Sequence, residues 1–255
     1  GKKKVRKLDS LDNRRPSFNT FVFLQRIHVY KYSICNFYYN CSLWLYRMEE
    51  EFKQVRSNII KIAMYGPEST GKTTLSTQLA AHYNDGWIPE FARDFLQEKW
   101  DKNQEVCTEE DLIAIAVGQT KIENEAVTKA NKLLFCDTNL LVTKVFSDIF
   151  YERCEPTLEQ AAKEHEYDLI FLTYIDVPWE ADDLRDSPDD REKTFKTFEE
   201  AIIQNGNPYV KIQGNKEERY KKAVQIVDEL VLAKNLGFSS ADFVAIYNKG
   251  ISMAT

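Results

Sequence analysis

Residues 65–74 read YGPESTGKTT, and Gly66, Gly71, Lys72 and Thr73 fill every fixed position of G-x-x-x-x-G-K-[ST]. The chemistry this spacing serves is polyphosphate binding. Small residues let backbone N–H groups turn inward on phosphate oxygens, and a following helix adds its dipole. Lys72 is predicted to reach the β and γ phosphates, and the Thr73 hydroxyl to sit on Mg²⁺. Gly66, Pro67, Glu68, Ser69, Thr70, Gly71, Lys72, Thr73 and Thr74 are the residues expected to cradle ATP.

A magnesium loop needs an acid at the end of a neighbouring strand, and LLFCD supplies Asp137 there. Asp137 serves equally as the cap of a helix beginning at Thr138. Glu68 is unusual, because a carboxylate inside the loop would oppose a phosphate at short range. It is therefore expected to point out of the loop, toward whatever accepts the phosphoryl group, where it could hold or deprotonate a sugar hydroxyl. Thymidylate kinases resemble the sequence in this one respect. A solvated loop residue is the alternative. Glu90 and Arg93, in EFARDF, share a helix face and could grip a ribose or a second anion, or pair on the surface. Arg185 and Arg191 lie in a charged stretch that reads as a lid closing over the triphosphate, where arginines neutralise developing charge. Trp179 and Tyr174 could stack on a flat base or pack in the core. Arg219, in GNKEERY, could cover adenine.

The elements that must position these groups alternate. Apolar runs at 58–65, 87–90, 132–137, 167–175 and 208–214 read as strands. Helical spacing follows the phosphate loop over 72–83 and recurs over 91–100, over 109–130 behind a Thr108 cap, and over 215–234. Residues 182–193 read as a mobile loop. Strands separated by helices of this length predict βαβ units and a mainly parallel sheet, an α/β/α sandwich.

The 255 residues carry a net charge of −6, but residues 1–47 hold ten Lys/Arg against two Asp/Glu. That is +8 locally and −14 in the remainder, with no whole-chain nucleic-acid footprint. Arg26, His28 and Lys31 interrupt the apolar run of the first segment, which is too short and charged to span a bilayer. The first methionine is Met48, so residues 1–47 are expected to be a non-native leader or upstream sequence, or else a disordered basic arm. Residues 48–235 are expected to form a P-loop kinase domain, and 236–255 a short helical tail. The five cysteines are isolated, as in a reducing cytoplasm.

The ordered set GPESTGKTTL, PEFARDFL, FCDTNLLVT, YDLIFL, WEADDLR and NKEERY resembles the ribosylnicotinamide kinase domain of NadR-type proteins over about residues 59–232. The resemblance implies a P-loop NTPase fold of nucleoside-kinase type with a mobile lid. It implies ATP-dependent, Mg²⁺-dependent phosphorylation of the 5′-hydroxyl of nicotinamide riboside to the mononucleotide, in NAD biosynthesis. By the same resemblance Lys72, Asp137, Glu68, Arg185 and Arg191 are catalytic and Thr73 and Asp137 hold metal. It also implies that Glu90 and Arg93 border the substrate, and Asn139 and Trp179 are expected beside them. The strand-end motif of the family is typically Asp-Thr-Asp; here it is Asp137-Thr138-Asn139. No His-x-x-His signature of an adenylyltransferase stands upstream of Met48, so the product is expected to be the mononucleotide and not the dinucleotide. Another nucleoside or nucleotide kinase, or a regulatory P-loop ATPase or GTPase module, are the other readings. The expected partner is a small nucleoside-like molecule, with neither nucleic acid nor membrane.

Overall fold

The computed structural model describes residues 50–179 and 190–252. Five strands form one parallel sheet in the order β2-β3-β1-β4-β5. They are β1 (Ile60–Tyr65), β2 (Gly86–Ile88), β3 (Leu133–Cys136), β4 (Leu169–Thr173) and β5 (Tyr209–Ile212). β1 is central, with Ile60 opposite Leu133 on one side and Ile62 opposite Leu169 on the other. Every residue of β1, β3 and β4 is buried, as a strand covered on both faces requires.

Eight helices stand among the described residues: α1 (Lys72–Tyr83), α2 (Phe91–Asn103), α3 (Glu109–Val127), α4 (Leu140–Tyr151), α5 (Pro156–Glu164), α6 (Arg191–Asn205), α7 (Lys216–Asn235) and α8 (Ser240–Ser252). Alternate strand residues sort them into layers. Ile60, Ile62, Met64, Phe135 and Phe171 pack with Leu75 and Leu79 of α1 and Ile226 and Leu230 of α7. Ala63, Tyr65, Leu134, Ile170 and Leu172 pack with Val127, Val145 and Phe198 of α3, α4 and α6. The result is the α/β/α sandwich that the alternation predicts.

Local signals set the helix starts. Thr108 and Asp111 form a capping box on α3, and Asn215 and Glu218 another on α7. Three features depart from the sequence reading. The charged loop ends earlier than expected, because α6 begins at Arg191, and residues 180–189, including Arg185, lie outside the described residues. α5, opened by Pro156, has no counterpart in the periodicity reading. The length of α6 beyond residue 193 has no counterpart there either; Phe243 and Val244 of α8, in the C-terminal tail, are buried in the α7 layer. Residues 1–47 also lie outside the described residues. No helix among the described residues is long and apolar enough to cross a membrane.

Candidate active site

The phosphate loop joins the C-terminal end of central β1 to α1, where the strand order reverses and open α/β sheets bind ligands. Gly66 has φ +143, and a Cβ there would stand 2.7 Å from Thr173 Oγ1 and 2.9 Å from the Thr173 carbonyl oxygen. Only glycine lets the loop leave β1 this close to the end of β4. Thr173 Oγ1 is 2.7 Å from Thr70 Oγ1, and Thr70 Oγ1 also donates to the Pro67 carbonyl. Gly71 turns at φ +81 directly before α1. Lys72 Nζ lies along the loop, donating to the carbonyl oxygens of Gly66 at 3.0 Å and Pro67 at 2.8 Å.

Asp137 follows β3 and is 3% exposed. It meets the Thr73 hydroxyl, and Ser76 Oγ donates to it at 3.4 Å. Burial pushes its carboxyl up, while Thr73, Lys72, Ser76 and Arg93 pull it down. The alternative role of helix cap falls to another residue: α4 starts at Leu140, and Asn139 Oδ1 accepts the Val142 N–H at 3.2 Å. Asn139 is 1% exposed and engaged as that cap, not placed on the cleft wall with the residues expected to border a substrate. An Asx side chain before the first helical turn carried this signal in the sequence.

A cleft of about 700 Å³ opens from the loop. Glu68, Ser69, Thr70, Gly71, Lys72, Thr73 and Thr74 form its floor. Glu90 and Arg93, at the start of α2, stand on one wall, so the structure brings Glu68, Glu90 and Arg93 to one cavity. The sequence reading missed the apolar part of the lining: Val142, Phe146, Phe150 and Tyr151 of α4, with Leu112 and Ile115 of α3. The rings of Phe146 and Phe150 stack with centroids 5.8 Å apart. Their i, i+4 spacing just after the strand-end acid was the available signal.

Arg191 opens α6 beside the loop, with Nη2 donating to the Ser69 carbonyl at 3.3 Å and Nη1 to that of Val177 at 2.9 Å. Trp179 lies against it, the guanidinium carbon 5.8 Å from the ring centroid. Trp179 and Arg191 border a recess of about 130 Å³ that shares Glu68 with the main cleft. Arg219, expected over a base, lines the cleft beside the loop and is a buried brace there, 3% exposed. Its guanidinium donates to the carbonyl oxygens of Gly214 at 2.7 Å, Thr70 at 2.5 Å and Tyr174 at 2.8 Å, and pairs with Asp176. All three nitrogens are tied, to three backbone carbonyls and one carboxylate, which fixes the plane of the guanidinium.

Among the described residues no three His, Cys, Asp or Glu side chains converge as a metal cage. Thr73 and Asp137 do suit Mg²⁺, which takes one or two protein oxygens and completes its shell with phosphates and water.

Comparison with known proteins places this geometry. The chain is 29% identical over 173 residues to the trifunctional NAD biosynthesis/regulator protein NadR of Escherichia coli K12 and to that of Salmonella typhimurium. The match takes in 67% of this chain and 42% of each relative, so the chain spans less than half their length. Among solved structures, a NadR protein in complex with NAD and AMP-PNP superposes with a TM-score of 0.57 at 23% identity, covering 68% of this chain and 50% of that one. Deoxyadenosine kinase from M. mycoides superposes at 0.52 with 14% identity, covering 66% of this chain and 99% of that one. The chain shares the α/β P-loop fold of these solved structures. A family model described as an AAA domain matches residues 61–219, more than half of the sequence, and the chain belongs to that AAA domain family.

Proposed function

We propose that the chain is an ATP-dependent kinase of a small nucleoside-like acceptor, with nicotinamide riboside first among the acceptors. The observation that carries this reading is the continuity of one cleft: phosphate loop, then Glu68, Glu90 and Arg93, then an aromatic wall. A switch or motor ATPase has no need of a second chamber with acids at its mouth. Similarity to NadR supports the choice of acceptor, because a NadR protein has been crystallised in complex with NR.

In this reading Lys72 leaves the loop carbonyls for the β and γ phosphates, and the backbone amides of residues 66–73 hold the rest of the chain of phosphates. Mg²⁺, held by Thr73 and Asp137, would neutralise charge on the transferring group. Glu68 orients the acceptor hydroxyl and takes its proton. Arg191, which donates to the Ser69 carbonyl of the loop, would turn to the transferring phosphoryl, and Arg185 is proposed as its companion in the lid. Glu90 and Arg93 grip the ribose, and Phe146 and Phe150 offer a stacking surface to the base. Trp179 closes the far side. The work is positioning and charge neutralisation.

The test is an acceptor panel with ATP: nicotinamide riboside, thymidine, deoxyadenosine, thymidylate and shikimate, with products weighed by mass spectrometry. Phosphorylation of nicotinamide riboside above the others is expected. Preferred transfer to thymidylate or deoxyadenosine would move the chain to another nucleoside or nucleotide kinase. Hydrolysis indifferent to every acceptor would make it a regulatory NTPase.

A further inference from the structure

A helix that carries Arg93, with Glu90 at its N-cap, must be held over the cleft, yet α2 buries none of its side chains. Its hold comes from α3. The first backbone N–H of α2, at Phe91, donates to Gln119 Oε1 at 2.9 Å. That N–H is one of those a helix leaves without an internal partner. The side chain at the N-cap position usually serves the first turn, but Glu90 occupies that position and makes no capping bond. Beside Gln119, Gly118 lets the Phe91 ring lie on the α3 backbone: a Cβ there would meet Phe91 Cε1 at 2.2 Å.

Gln119 is itself locked. It is 2% exposed, and its Nε2 donates to Glu123 Oε1 at 3.4 Å. Glu123, 1% exposed, accepts the Tyr167 hydroxyl on both oxygens at 3.0 Å and Gln54 Nε2 at 3.5 Å. Lys61 Nζ of β1 stands 5.2 Å from the Tyr167 ring centroid. The amide serves both neighbours in one orientation, its oxygen on the Phe91 N–H and its NH₂ on the carboxylate. A buried polar relay thus runs from the mouth of the cleft to the sheet.

We infer that Gln119 is a positioning residue for the acceptor site. By capping α2 from α3 it keeps the Glu90 side chain directed to the cleft and sets Glu90 and Arg93 against the acceptor. The identity of that acceptor rests on the kinase reading; the brace does not.

Two variants test it. Gln119→Met keeps the length and loses both polar atoms. Gln119→Glu combined with Glu123→Gln exchanges the pair, keeping an oxygen on Phe91 and one buried carboxylate. Hydrogen exchange is followed on the purified chain, with steady-state kinetics in ATP and nicotinamide riboside. In Gln119→Met the amides of 91–94 should exchange about tenfold faster, the loss of one hydrogen bond, while those of β1 and β4 hold. The acceptor KM should rise about tenfold, with kcat and the KM for ATP nearly unchanged. The exchanged pair should restore both. If either variant fails to fold, Gln119→Asn, which keeps the amide but withdraws it by one methylene from the Phe91 N–H, should give the same split. Unchanged protection of 91–94 overturns the inference. So does faster exchange with an unaltered acceptor KM, or an exchanged pair as impaired as Gln119→Met. If the wild-type chain phosphorylates no nucleoside, the kinase reading fails by itself; faster α2 exchange in Gln119→Met then upholds the brace, and unchanged exchange refutes it.

Discussion

Replacing Arg219 by methionine removes a guanidinium and keeps most of its stem. The guanidinium donates to three backbone carbonyls, one of them Thr70 in the phosphate loop, and pairs with Asp176. A hydrogen bond from a charged donor contributes about 1.5–3 kcal/mol. Desolvating a group that is 3% exposed offsets several kcal/mol of that sum. Breaking a buried pair from one side costs about 3–5 kcal/mol net, because the other partner stays behind. Total stability of a domain is about 5–15 kcal/mol, so Arg219→Met should fold but unfold early. With a urea m-value of about 2 kcal/mol/M, the midpoint should fall by about 2 M. Tryptophan fluorescence in urea reads the midpoint, and a fluorescent ATP analogue reads affinity. Affinity should weaken too, since the loop, the end of β4 and the turn before α7 lose their common tie. An unmoved midpoint with strongly reduced nucleotide affinity would refute the brace and return Arg219 to the face of the base.

Lys72→Ala should abolish nucleotide binding or turnover, whereas Glu68→Gln should keep ATP affinity and lower transfer by about 10²-fold; unchanged transfer would make Glu68 a solvated loop residue. Asp137→Asn should leave the urea midpoint unchanged or raised, because burial already opposes the ionised carboxyl. It should also abolish the Mg²⁺ dependence of nucleotide affinity, read with and without chelator. His165 gives a pH signature. Burial lowers its pKa to about 4 from 6.5, with Nε2 2.7 Å from the Phe52 carbonyl and Nδ1 buried without a partner. A folded pKa below the unfolded one means stability is full above pH 6.5 and declines as pH falls toward 4, by about 3 kcal/mol from this residue. His165→Gln should flatten the wild-type profile in that window; equal slopes in the two chains would remove His165 as the cause.

The phosphate loop and the sheet were legible because their signals are local. Gly66, Gly71, Lys72 and Thr73 carry the loop by identity and spacing, and β1, β3 and β4 are apolar runs. Glu90 and Arg93 reached the cleft because their helix begins straight after β2. Other roles depend on partners far along the chain. Arg219 reads in the sequence as a possible cover for adenine, and its ties to Thr70 and Tyr174 show only once the chain has folded. Asn139 looked like a weakened acid beside Asp137; in three dimensions a helix start claims it. Gln119 has no motif at all, since its meaning lies in an N–H 28 residues away.

The central place of β1 has a consequence for biosynthesis. Its partners β3 and β4 both come much later in sequence, so the nest that opens α1 leaves the ribosome long before either flank exists. Gly66 gains its neighbour Thr173 only when β4 has emerged, and the tie through Arg219 waits for α7. Non-local pairing of this kind is slow and leaves apolar strands uncovered meanwhile. A chain arrested before α7 would display the signature octapeptide of a nucleotide binder and grip nothing.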